Sequence, residues 1–141
     1  MAKFEFDENE KFKTGQELRR RILGAEYHDK SVEQADEDPF MGPLRQLSAE
    51  YVWGSIWARP GLPAKTRRLI NIAMLSAMNR QPEVRTHIRA AIEEGGVTQE
   101  EIMEVLLHIT VYAGIPAGVD AFRTAKEYFD EASEGGGTVE V

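Results

Sequence analysis

The sequence predicts an all-α fold, a compact six-helix domain, on three observations. Apolar residues recur at three- and four-residue spacing along most of the chain, and glycine and proline stand where those stretches would start and stop. No run alternates apolar and polar residues in the manner of a strand. Residues 1–134 read as one domain, in keeping with a chain of 141 residues, and 135–141 as a flexible, glycine-led tail.

The first helix runs from Asn9 to Leu23, with Phe12, Leu18, Ile22 and Leu23 on its apolar side and Gly24 as its stop. Ala25 to Asp38 is polar, acidic and irregular, so it reads as a long surface connection with His28 solvated. A second helix starts after Pro39 and carries Leu44, Leu47, Tyr51, Val52, Ile56 and Trp57, weakened by Gly42 and Gly54. Arg59-Pro60-Gly61-Leu62-Pro63 breaks the chain, and Pro63 suits the first position of the third helix. That helix, Pro63 to Met78, has almost no polar face after Arg68 and is expected to be buried on all sides, at the centre or in a subunit interface. Pro82 opens the fourth, which buries Val84, Ile88, Ala91 and Ile92 and ends at Gly95-Gly96. Thr98 and Glu101 have the spacing of a capping box for the fifth, whose Ile102, Val105, Leu106, Ile109 and Ala113 face inward before Gly114 and Pro116. The sixth spans Pro116 to Ala132, with Val119, Phe122, Ala125 and Phe129 inward.

Composition narrows the function. With no cysteine, disulfides, thiolate metal sites and every thiol mechanism are excluded. The N-terminus lacks the apolar core of a signal peptide, and no window of the chain is apolar enough to span a membrane, so the expected compartment is the cytoplasm. A formal charge of −7 argues against nucleic acid or an anionic membrane as partner. That total hides an asymmetry: Arg59 to Arg89 carries +6 and the remainder −13. A basic field inside an acidic protein suits a small anionic ligand.

Within that basic stretch, Glu83 and His87 stand four apart and share a helix face. A carboxylate beside an imidazole can fix its tautomer and raise its basicity, although the same spacing also occurs in ordinary surface pairs. His108, one turn after Glu104, could supply a second donor or cap a packing layer. Tyr51, Trp53 and Trp57 precede Arg59, a grouping that builds either core or a flat pocket with one carboxylate clamp. Histidines at 28, 87 and 108 form no HxH or HxxxH pair, so no metal is expected. No GxSxG, Walker A or dinucleotide-binding glycine pattern is present.

Six blocks in order resemble the carboxymuconolactone decarboxylase family. They are Gly15-x-x-x-Arg19-Arg20-x-Ile22-Leu23-Gly24, Trp53-Gly54-x-x-Trp57-x-Arg59-Pro60-Gly61-Leu62, Thr66-Arg67, Ala73-Met74-Leu75, Glu83-x-x-x-His87-x-Arg89-Ala90-Ala91 and Val111-Tyr112-Ala113-Gly114-Ile115-Pro116. The resemblance covers about residues 9 to 130 and implies an alkylhydroperoxidase-like subunit assembled into hexameric rings. Thiol-dependent relatives carry a cysteine pair and a histidine where this chain has Arg80, Glu83 and His87, and a glutamate where it has Arg68.

The implied reaction is cofactor-free loss of carbon dioxide from a five-membered unsaturated lactone with two carboxylates, giving 3-oxoadipate enol-lactone in aromatic-acid catabolism. On that reading His87 donates a proton or stabilises an oxyanion, and Glu83 orients it. Arg59 and Arg80 hold carboxylates, Trp57 walls the ring, and His108 lines the site. Two alternatives stay open: a related isomerase or decarboxylase acting on another carboxylated ring, and a non-catalytic helical oligomer that binds an anionic metabolite.

Overall fold

The computed structural model describes residues 2–35 and 38–135, and all regular structure among them is helical. The helices are α1 (Glu10–Leu23), α2 (Ala25–Ala35), α3 (Gly42–Leu47), α4 (Ala64–Ala77), α5 (Gln81–Glu94), α6 (Gln99–Ala113) and α7 (Ile115–Gly135). A π-helical segment, Ser48–Trp57, continues directly from α3. Among the described residues, seven α-helices and this π-helical segment stand where six helices were expected. None is long and apolar enough to cross a membrane. Gly135 closes α7 rather than opening a tail, and residues 136–141 of the expected tail lie outside the described residues.

The chain divides into two compact units, Met1–Ala64 and Lys65–Val141. In the first, the Asn9 side chain caps α1 by accepting from the Phe12 amide at 2.9 Å, and it donates to Glu50 at 3.1 Å. Gly15 and Gly54 explain how α1 and the π-helical segment meet. A Cβ on Gly15 would overlap the Ala49 carbonyl, and one on Gly54 would overlap that of Lys11. Glycine at 54 thus serves a backbone-to-backbone crossing, with Phe12, Ala49 and Trp53 buried beside it. The other side of this helix, with Leu44, Leu47, Tyr51 and Ile56, is exposed.

The helix α2 corrects the reading of Ala25 to Asp38 as a surface connection. Gly24 turns the chain at φ 93°, and the His28 amide donates to its carbonyl at 3.0 Å to close the first turn of α2. His28 is 5% exposed, not solvated. Its Nδ1 meets Arg19 Nη1 at 2.7 Å, and Arg19 also donates to Ser31 at 2.9 Å. These contacts from α1 hold a segment whose own sequence is too polar to show an apolar face.

In the second unit, Ile72, Val84, Ile88, Ala91, Ile102, Leu106, Ala121 and Ala125 form the core. Each of these side chains contributes roughly 1.5–3 kcal/mol by leaving water, less for alanine. Thr98 accepts from the Glu101 amide and donates its own amide to the Glu101 carboxylate, completing the expected capping box on α6. Gly114, at φ 106°, separates α6 from α7. Gly118 gives room to the Thr110 side chain, and Ala121, Ala125 and Tyr128 turn inward, whereas Val119 is exposed.

The third helix, expected to be buried at the centre or in a subunit interface, is covered on one face within the chain. Arg68, Ile72 and Ser76 form the buried row of α4, but Ile70, Met74 and Met78 form a second row that is 38%, 50% and 65% exposed. Four-residue spacing puts each row on its own face. Apolar residues on both faces of a helix conceal that only one is covered within the chain.

Candidate functional site

The most chemically loaded region of the second unit starts where α4 turns into α5. The Arg80 amide donates to the Leu75 carbonyl at 2.9 Å and that of Asn79 to Ser76 at 3.1 Å. Asn79 takes the left-handed conformation, φ 57°, that lets the chain reverse. Pro82 then occupies the first turn of α5, where its missing N–H costs nothing.

This turn sets out Arg80, Glu83 and His87 in sequence along the start of α5. Arg80 immediately precedes the helix with an exposed side chain. Glu83 lies in the first turn, where the helix dipole favours a carboxylate, and it too is exposed. His87 follows one turn later and is partly buried.

The environment of His87 differs from that read in the sequence. Burial, followed by the charges of Arg68 and Arg89, pushes its pKa down to about 4, and the Glu83 carboxylate opposes this. Burial in a low dielectric and two nearby cations both penalise a charged ring. At neutral pH the imidazole is therefore uncharged, with one N–H to donate and one nitrogen to accept. Glu83 acts on it through charge and is outweighed.

Arg68 is the residue that sequence reasoning left out of the site. It is only 4% exposed, and burial lowers its pKa, with Glu94 opposing and Arg89 adding to the effect. Gly95 is the reason it fits, because a Cβ there would press on Arg68 Cδ and Nε. Arg89 approaches Glu93 at 4.0 Å, a loose ion pair one turn along α5. The clue in the sequence was an arginine opening an otherwise apolar helix and another two residues after His87.

The remaining predicted residues sit as follows. His108 is exposed on α6 and stacks on Tyr112, with ring centres 5.0 Å apart. Trp57, in the first unit, stacks on the buried Trp53 at 5.1 Å, so one face of its ring is already covered. Arg59 is exposed just beyond the π-helical segment, its amide donating to the Ile56 carbonyl at 3.1 Å. The structure thus gathers Arg80, Glu83 and His87 on one stretch of helix and adds Arg68 and Arg89.

A cavity of about 220 Å³ between α6 and α7 is lined by Met103, Leu106, Phe122 and Phe129 among others, and by none of the six predicted residues. Among the described residues no group of three or more His, Asp or Glu is placed to hold a metal ion. What the His87 region offers is a neutral hydrogen-bond donor within reach of the positive charges of Arg68 and Arg89. Such a site favours an anion that develops negative charge at a second oxygen.

Comparison with known proteins bears on which anion. Residues 43–127, a span that includes all six predicted residues, match the model of the carboxymuconolactone decarboxylase family. The chain is 37% identical over 125 residues to a 4-carboxymuconolactone decarboxylase from Acinetobacter baylyi, covering 89% of this chain and 91% of that one. It is 34% identical over 125 residues to a nitrosuccinic acid decarboxylase from Metarhizium robertsii, covering 89% and 85%. An uncharacterized 15.0 kDa protein from Paracoccus denitrificans is 31% identical over 87 residues, 60% of this chain and 64% of that one.

Proposed function

Since the chain belongs to the carboxymuconolactone decarboxylase family, we propose that it is a carboxy-lyase that converts 4-carboxymuconolactone to 3-oxoadipate enol-lactone and carbon dioxide without a cofactor. The observation that carries this reading is the neutral His87 beside Arg68 and Arg89. The work belongs to the breakdown of protocatechuate in the cytoplasm.

Decarboxylation breaks the bond between the ring carbon and its carboxylate. The electron pair passes through the conjugated double bond to the lactone carbonyl oxygen, and carbon dioxide departs. The His87 N–H donates to that oxygen as its charge develops, and a proton then reaches the ring carbon next to the carbonyl from solvent. One such donor is worth about 2.7–4 kcal/mol of barrier. A neutral imidazole suits this role better than a charged one, because it favours the transition state without gripping the ground-state carboxylates.

Arg80, Arg68 and Arg89 supply the positive field for the dianion, and Arg80 clamps the carboxylate that stays. Glu83 limits how far the ring's basicity falls. Arg59, Trp57 and His108 are assigned to substrate binding on the family resemblance alone. The exposed Ile70 and Met74 on α4 and Met78 just after it, together with Met103, Leu107 and Val111 on α6, support self-association, and a hexamer is the assembly we propose.

The nitrosuccinic acid decarboxylase among the relatives favours one second reading. Nitrosuccinate is also a small dianion, and its carboxylate beside the nitro group can leave its electrons on the nitro oxygens. The two substrates share an electron sink and differ in shape. Carbon dioxide release from each, at equal concentration, decides between them: faster turnover of the lactone supports the first reading, and faster turnover of nitrosuccinate supports the second. No release from either would reject a decarboxylase.

A further inference from the structure

The hydroxyl of Thr124, on α7, bonds outside its own helix. Thr86 and Thr110 each donate to the carbonyl one turn back, to Pro82 at 3.1 Å and to Leu106 at 2.7 Å. Thr124 instead donates across to Oε1 of Gln81, the first residue of α5, at 2.6 Å. The other end of the same side-chain amide, Gln81 Nε2, donates to Asn79 Oδ1 at 2.9 Å. Two hydrogen bonds in series thus join half-buried Thr124 to exposed Asn79, and the pair Asn79 and Gln81 brackets Arg80. We propose that Thr124 is a positioning residue for Arg80, fixing through Gln81 and Asn79 the backbone from which the guanidinium meets the substrate carboxylate; this rests on the clamp role given to Arg80 in the proposed reaction.

The turn needs such support. Asn79 holds φ 57°, a left-handed conformation that a residue with a side chain keeps only where its surroundings impose it. Its amide and that of Arg80 donate to the Ser76 and Leu75 carbonyls at 3.1 and 2.9 Å, which ties the turn to α4. Gln81 ties it to α5, and Thr124 fixes Gln81. Arg80 itself, at φ −99° and ψ 70°, stands outside the helix with an exposed side chain, so its reach is set by the backbone beneath it.

The far end of the chain of bonds is firm. Thr124 adjoins Ala125 and follows Ala121 by three residues, and both alanines are buried in the core that also holds Val84 and Ile88 of α5. Core packing therefore fixes the hydroxyl, and the hydroxyl passes that constraint to a turn that faces solvent. An arginine grips a planar carboxylate through two parallel hydrogen bonds, a geometry that tolerates little displacement. Misplacing a binding group by about 1 Å can cost as much as about 100-fold.

The test compares carbon dioxide release from 4-carboxymuconolactone by the wild type and by variants, with hydrogen exchange of the Asn79 and Arg80 amides alongside. Thr124→Val keeps the side-chain shape and removes the donor. It should raise KM about three- to tenfold, the worth of one hydrogen bond, with kcat within about twofold of wild type. Exchange at both amides should quicken. Thr124→Ser keeps the hydroxyl and should restore both readouts. In an Arg80→Gln background, where KM is already raised, Thr124→Val should add nothing. Gln81→Met breaks the same chain at its middle, should act as Thr124→Val does, and serves if that variant folds poorly.

Unchanged KM or unchanged exchange in both chain variants would overturn the proposal. So would failure of Thr124→Ser to restore them, or a full further rise in KM when Thr124→Val joins Arg80→Gln. Each of these leaves the decarboxylase reading standing, whereas no turnover by the wild type would overturn that reading and the role of Thr124 together.

Discussion

Titration of His87 probes the reaction site without any assumption about substrate. An ordinary histidine, with a pKa near 6.5, is protonated in about one molecule in four at pH 7. A pKa of about 4 lowers that to about one in a thousand. The difference amounts to roughly 3 kcal/mol held against protonating the folded state. Its sign follows from linkage: the unfolded chain takes up the proton first as pH falls, so stability is intact above about 6.5 and is lost as pH falls toward 4. Ring carbon–proton NMR signals, assigned with His87→Gln, should show a midpoint near 4. Arg89→Gln should raise it, because one of the two opposing cations is gone. A midpoint between 6 and 7 in the wild type, or no movement in Arg89→Gln, would refute the neutral-donor role.

Other consequences test the fold. Gly15→Ala places a methyl group on the Ala49 carbonyl, so urea denaturation should show a loss of about 1–3 kcal/mol or more; a loss below about 0.5 would mean α1 and the π-helical segment do not cross so closely. Thr98→Ala removes one half of the capping box and should cost about 1 kcal/mol by the same measurement. His28, whose pKa burial and then Arg19 push down to about 4, should make the protein less stable at pH 5 than at pH 7, and His28→Gln should shrink that difference. An unchanged difference would show that His28 does not control it.

Most helices were legible because their signals are local. Pro82 with Gly95, and Thr98 with Glu101, mark α5 and α6 by chemistry that acts within one turn. The α2 helix was not legible, since what holds it is Arg19 reaching from α1 to His28 and Ser31, a tertiary contact that no window of Ala25 to Asp38 contains. The same limit governs the site. Glu83 and His87 share a face by spacing alone, but the balance between Glu83 and the two arginines depends on burial and on Arg68 arriving from α4. A carboxylate four residues away suggested a more basic ring, and the surroundings make it a less basic one. The α4 sequence likewise shows how apolar its surface is, but not that Ile70, Met74 and Met78 remain uncovered within the chain.

The central claim is that this protein decarboxylates 4-carboxymuconolactone through His87. Its most direct test is the release of carbon dioxide from that lactone by the wild type and by His87→Ala, with melting curves taken alongside. The account predicts turnover by the wild type and a loss in kcat of about 100- to 1,000-fold in the variant, with folding retained. Wild-type turnover by a folded His87→Ala protein would contradict it.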